Sequence, residues 1–194
     1  MKSEPDPDAQ NLEPNAQSPE TVSQPPFTEE TALQFFVRHL DEMKWKYHRY
    51  PEKSGLYSMF NGDNVQWNLN LYAREMSSGH FLLGVNSLIP NKTPEERRVA
   101  IAELLTRINY ELSVGCFELD LADGEIRLRT SLVLPGADIT PGIIEELLRS
   151  NIYIVIERFH QIMAVMYGGV MPQEAIKPKE EKVETKHEPR FDFN

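Results

Sequence analysis

The chain has 194 residues, 40% of them hydrophobic and 26% charged, with 14 prolines and a formal charge of −10, which is room for one ordinary domain with poorly packed ends and not for two. Its 30 acidic against 20 basic residues repel nucleic-acid phosphate and anionic lipid unless bases gather locally, and no basic patch is visible along the sequence. The single Cys116 excludes an internal disulfide and a cysteine-rich zinc site. The start lacks a signal-peptide pattern and no stretch reaches the roughly 18 apolar residues of a membrane span, so a soluble cytoplasmic protein is expected.

Residues 1–26 hold six prolines, five acids and one lysine with almost nothing apolar, and read as a disordered acidic arm. The folded part is expected over 27–172. Residues 173–194 interleave six acids with five bases and read as a charged flexible tail, ending in two aromatics at Arg190-Phe191-Asp192-Phe193-Asn194. Thr28 with Glu29 and Glu30 predicts a capped helix over 28–44, its stripe being Leu33, Phe36, Val37, Leu40 and Met43. Two strand-like runs, Leu56–Phe60 and Val65–Met76, flank Asn61-Gly62-Asp63-Asn64 as a hairpin. Ser77-Ser78-Gly79 turns into a strand near His80–Leu88, in a register that sets Leu71 opposite Val85 and Ala73 opposite Leu83.

Thr93, Pro94 and Glu96 predict a capping box ahead of a helix with Val99, Ile101, Leu104, Leu105, Ile108 and Leu112. A second hairpin around Asp123-Gly124, read as a tight turn, pairs Leu121 with Ile126, Asp120 with Arg127, Leu119 with Leu128 and Glu118 with Arg129. Thr140-Pro141 opens a third helix, stopped by Gly168-Gly169, in which Asn151 interrupts the apolar stripe and leaves a kink or break open. The order of elements predicts an α+β fold, a two-layer sandwich of an antiparallel sheet with helices on one face. The second face keeps Asn68, Asn70, Arg74, Glu118, Asp120, Arg127 and Arg129.

Catalytic patterns are absent from the sequence: the five histidines are scattered, and no nucleophile elbow, phosphate loop or dinucleotide fingerprint occurs. Glu118 and Asp120 opposite arginines form a surface ladder rather than an acid-base pair. Cys116 shares their face with acids as its nearest neighbours, which does not activate a thiol. Trp67 has core parity, and Trp45 either caps the core edge or lies exposed. The third helix carries more apolar surface than one stripe needs, from Ile152 to Ile156 and from Met163 to Tyr167. Burial on two sides within the domain and a dimer seam or groove are both open.

The run Arg107-Ile-Asn109-Tyr-Glu-Leu112, then Gly115-Cys-Phe117-Glu-Leu119-Asp, Asp123-Gly124, Arg127-Leu-Arg129 and a long final helix ending at Gly168-Gly169 resembles the YbjN family of bacterial sensory-transduction regulators, over residues 27–175. The resemblance implies a fold similar to type III secretion chaperones, small acidic proteins that often dimerise and hold client segments. It brings no catalytic residues. The resulting expectation is a noncatalytic, chaperone-like or regulatory adaptor that holds a partner protein or client, with a homodimer among its assemblies and with no enzyme activity, cofactor, metal, nucleic acid or membrane. Its expected contact residues are Arg127, Arg129, Glu118 and Asp120 on the polar face and Tyr153 and Ile156 on the third helix. The alternative is a small-ligand sensory regulator with a pocket between sheet and helices near Trp67.

Overall fold

Thr28 Oγ1 accepts a hydrogen bond from the Thr31 amide and so closes the start of α1 (Glu29–Glu42). Leu33, Phe36, Val37 and Leu40 are buried, whereas Met43, expected in the same stripe, lies past the helix end and is 37% exposed. The computed structural model describes residues 27–62, 65–76 and 79–176. The acidic arm, the turn residues Asp63-Asn64 and Ser77-Ser78, and the tail from 177 onward with its terminal aromatics lie outside the described residues.

A three-residue strand that the sequence pattern did not announce, β1 (Tyr47–Arg49), is too short for alternation to register. It pairs with β2 (Gly55–Asn61), which continues antiparallel into β3 (Gln66–Glu75) and β4 (His80–Leu88). The expected register holds, with Leu71 opposite Val85 and Ala73 opposite Leu83. After α2 (Arg98–Glu111), β5 (Cys116–Leu119) pairs with β6 (Ile126–Pro135), and β6 lies beside β4. The resulting six-stranded antiparallel sheet has the order β1-β2-β3-β4-β6-β5. On one face α1 packs against β3 and β4, α3 (Pro141–Met166) against β4 and β6, and α2 against β5 and α3.

Two local expectations are corrected. The capping box at Thr93 does not form. A short 3₁₀ turn at Glu95–Arg97 precedes α2, and the buried Thr93 hydroxyl has no hydrogen-bond partner among the described residues. Thr93 instead donates its amide to the Gly124 carbonyl at 2.7 Å, so the tertiary contact with the hairpin tip outweighs the local cap. Val99, two residues from the buried Ile101, falls on the opposite side of α2 and is 83% exposed.

The second hairpin is the other correction. Leu119 pairs with Ile126, Glu118 with Arg127, Phe117 with Leu128 and Cys116 with Arg129, a slip of two residues from the expected register. The loop is wider than a two-residue turn: the Asp120 amide donates to the Glu125 carbonyl at 2.9 Å and the Gly124 amide to the Asp120 carbonyl at 2.7 Å. Gly124 has φ +84°, and a Cβ there would sit 2.2 Å from the Thr93 carbonyl oxygen, so the close approach requires glycine.

α3 runs unbroken through Asn151, which is fully buried. Much of its apolar surplus packs inside the domain, while Tyr167 is 56% exposed. Ile152, Val155, Val165 and Met166 are buried, while Ile154, Ile156, Phe159 and Met163 pack on the core edge. A helical turn, α4 (Pro172–Ala175), lies against α2 and α3 with Pro172 buried, so residues 173–176 belong to the folded body rather than to the tail. Among the described residues, no helix is long and apolar enough to cross a membrane.

Candidate functional site

The helix-free face of the sheet carries an unbroken polar rung across all six strands. His48 pairs with Tyr57, Tyr57 with Asn70, Asn70 with Asn86, Asn86 with Arg129 and Arg129 with Cys116. Period-two alternation puts these side chains opposite the core, so the rung follows from the same pattern that buries Trp67, Leu69 and Leu71. The rung below sets Asn68 opposite Leu88, Leu88 opposite Arg127 and Arg127 opposite Glu118.

The segment from Tyr50 to Ser54 forms one wall of a groove of about 490 Å³ over this face. Tyr50 donates its hydroxyl to Asn70 Oδ1 at 2.5 Å, and Lys53 Nζ lies 3.9 Å from the centre of the Tyr50 ring. Arg74, Arg127 and Arg129 line the same groove with Tyr72, Asn86 and Ser54. Four cations from three separate stretches of chain therefore meet on an acidic protein. This corrects the reading that no basic patch exists, because the patch is assembled by strand pairing and has no counterpart in a linear run.

Glu118 organises the arginine end. Its Oε2 accepts from Arg127 Nε at 2.6 Å and its Oε1 from Arg129 Nε at 2.8 Å, and a terminal nitrogen of Arg129 forms an ion pair with Oε1 at 2.6 Å. Burial pushes the Glu118 carboxyl up, but hydrogen bonds from Arg129 and Arg127, with their charges, outweigh it and hold the group below the usual carboxylate range. The two terminal nitrogens of Arg127 have no acceptor among the described residues. Burial raises the Tyr50 and Tyr72 hydroxyls, with Arg129 and Arg127 partly opposing the shift at Tyr72, so both rings stay protonated at neutral pH.

Two buried polar atoms in the groove lining, Asn86 Oδ1 and Ser54 Oγ, have no hydrogen-bond partner among the described residues. Such groups are uncommon in folded proteins and call for a partner that brings its own donors. Cys116 is half-buried at the end of the rung, with Sγ 3.7 Å from an Arg129 nitrogen and 3.9 Å from Glu118 Oε1. The expectation that it has acids alone as neighbours is thereby corrected.

Of the residues expected to contact a partner, Arg127 and Arg129 line this groove, with Glu118 beside it as their ion-pair partner. Asp120 does not. It shapes the hairpin loop, where its Oδ1 accepts from the Ala122 amide at 2.7 Å. Tyr153 and Ile156 lie on α3, across the sheet from the groove; Tyr153 is half-buried with the Arg149 guanidinium 5.8 Å from its ring centre, and Ile156 packs on the core. Trp67 is 2% exposed, packed on Phe60 with ring centres 4.4 Å apart and donating to Ser87 Oγ at 2.8 Å, so the interior at that point is filled. A second cavity of about 290 Å³ opens between α1 and α3, lined by Met43, Trp45, Leu148 and Ile152. Trp45 itself is at the core edge, 7% exposed, and donates to the Met59 carbonyl at 3.1 Å.

Sequence reasoning missed Tyr50, Lys53, Ser54, Tyr72 and Asn86. One signal was present: Gly84 lies opposite Tyr72 in the correctly read register, and a glycine within a strand marks a close approach. Among the described residues, no three His, Cys, Asp or Glu side chains gather as a metal-holding group.

Residues 37–159 match the model of the YbjN family, described as "Putative bacterial sensory transduction regulator". No curated protein matches the chain. Among solved structures, the chain is similar to "YbjN, a putative transcription regulator from E. coli", at 14% identity and a TM-score of 0.47, covering 71% of this chain and 90% of that one. With the family match spanning more than half its length, this chain belongs to the YbjN family.

Proposed function

We propose that this YbjN-family regulatory domain is a noncatalytic adaptor that receives an extended segment of a partner protein on the helix-free face of its sheet. The observation that carries this reading is the pair of buried, unpartnered acceptors, Asn86 Oδ1 and Ser54 Oγ, beside the free guanidinium end of Arg127. A peptide offers backbone N–H groups and carboxylates together, which satisfy both. Addition of a strand at the sheet edge is disfavoured. The outward N–H and C=O of Phe117 are already bonded to Asn109 Oδ1 at 2.7 Å and Nδ2 at 2.9 Å, and β1 at the other edge is three residues long. The face is what remains.

A small ligand is the second reading, now located in this same groove, whose volume lies within the usual range for such sites of about 300 to 1,000 Å³. The two are separated by placing a photo-crosslinking amino acid at Met59 or Asn68 beside the groove and at Val99 on α2, in cells that produce the protein. A protein adduct from the sheet positions, absent from Val99 and lost in the double variant Arg127→Glu with Arg129→Glu, is the expected result. Adducts of equal yield from both sides, or none from the sheet positions, would overturn the adaptor reading.

A further inference from the structure

We infer that the groove is occupied in cis by the chain's own acidic, proline-rich N-terminal segment, through Ser3-Glu4-Pro5-Asp6-Pro7-Asp8, which competes there with the partner. The inference rests on the open face being a recognition surface, and its test reads a different contact from the crosslinking experiment.

Three observations converge. The first is position. The ring of Phe27, the first described residue, packs on Phe81 with centres 4.9 Å apart, and Glu29, two residues on, lines the groove, so the point from which residues 1–26 are tethered lies within two positions of the groove's rim. The second is charge. Residues 1–26 carry five acids and one lysine on a protein of net charge −10, so most of the surface repels them, while Lys53, Arg74, Arg127 and Arg129 gather in one place. The third is shape. Acids alternate with prolines over residues 4–8, and the groove sets cations beside tyrosines. A polyproline-like backbone lays proline rings against Tyr50 and Tyr72 and turns carboxylates toward the free end of Arg127. The amides of Asp6 and Asp8 are then the donors for Asn86 Oδ1.

Reach is not limiting. The 18 residues between Asp8 and Phe27 span up to about 60 Å when extended. Such a tether holds the segment at millimolar effective concentration, which lets individually weak contacts compete with a free partner.

The test uses the full chain, isotopically labelled, in a Cys116→Ser background with a spin label at Ser3→Cys. Paramagnetic broadening is expected at Lys53, Tyr72, Asn86, Arg127 and Arg129, and is expected to vanish when Glu4, Asp6 and Asp8 are changed to lysine, a variant that leaves the folded body untouched. High salt should weaken it in parallel. Uniform broadening over the surface, none in the groove, or groove broadening that survives the lysine changes would overturn the inference. So would full groove broadening in a mixture of labelled chains with spin-labelled, isotope-free chains, since that places a second copy's segment there. Groove broadening without a protein crosslink would retain this inference and remove the adaptor reading; the reverse pattern would do the opposite.

Discussion

Asn151 on α3 donates through Nδ2 to the main-chain carbonyl of Val85 on β4, at 3.1 Å, in a fully buried position. The same nitrogen lies 3.3 Å from the Leu128 carbonyl on β6 and 3.2 Å from Thr130 Oγ1, and Oδ1 accepts from Ser87 Oγ, which in turn accepts from Trp67 Nε1. The residue that interrupts the apolar stripe is thus the pin that fixes α3 over the β4 and β6 strands. Asn151→Leu takes the acceptor from the buried Ser87 hydroxyl and removes the donor shared by two main-chain carbonyls and Thr130 Oγ1, and is expected to lower stability by about 2 to 4 kcal/mol. The denaturation midpoint would fall with an unchanged slope; an unchanged midpoint would refute the role. Asn151→Asp buries a carboxylate whose pKa is raised by desolvation, so its stability should fall further as pH rises above about 4.

Glu118 predicts an acid dependence. Its folded pKa is depressed, so its contribution is present above the unfolded value of about 4.3 and is lost as pH falls through the lower folded value. Its side chain is 29% exposed and those of its arginine partners 45% and 39%, so the contribution is discounted to about 1 kcal/mol at neutral pH. Stability curves of the wild type and Glu118→Gln should differ by that amount at pH 7 and converge below about pH 4. Parallel curves would show that the arginines do not hold this carboxylate.

Gly84 and Tyr72 form a coupled pair. A Cβ on Gly84 would lie 2.1 Å from the Tyr72 ring, so the ring lies directly over the glycine and is held as part of the groove. Gly84→Ala is expected to cost about 1 to 3 kcal/mol alone and close to nothing in a Tyr72→Ala background. A double-mutant cycle by chemical denaturation measures the coupling, and additive effects would disprove the contact.

Asn109 guards the β5 edge through its paired bonds to Phe117. Asn109→Ala frees one donor and one acceptor on an edge strand, with an expected loss of about 1 to 2 kcal/mol and association that increases with concentration. Light scattering over a concentration series checks this. A variant whose mass matches the wild type at every concentration would show that the edge was never available.

Apart from the Thr93 capping box, where a tertiary contact prevailed, the sequence by itself determined the helix caps and the faces set by strict alternation. Thr28 and Thr140-Pro141 cap their helices because capping involves residues three apart. Leu71 meets Val85 because only one short turn separates β3 from β4. The second hairpin shows where that reasoning stops. Alternation is unchanged by a shift of two residues, so the faces of Glu118, Arg127 and Arg129 and the Glu118–Arg129 ion pair were legible while the residues directly opposite them were not. The Thr93 to Gly124 contact chose the wider loop, and a contact across 31 positions leaves no local trace. Tertiary structure alone decided that Asn151 is a pin rather than a break, because its acceptors belong to strands distant in sequence. It also decided the groove: Arg74, Arg127 and Arg129 are brought together by strand pairing and Lys53 by the connection between β1 and β2, so only the fold sums their charges into one field.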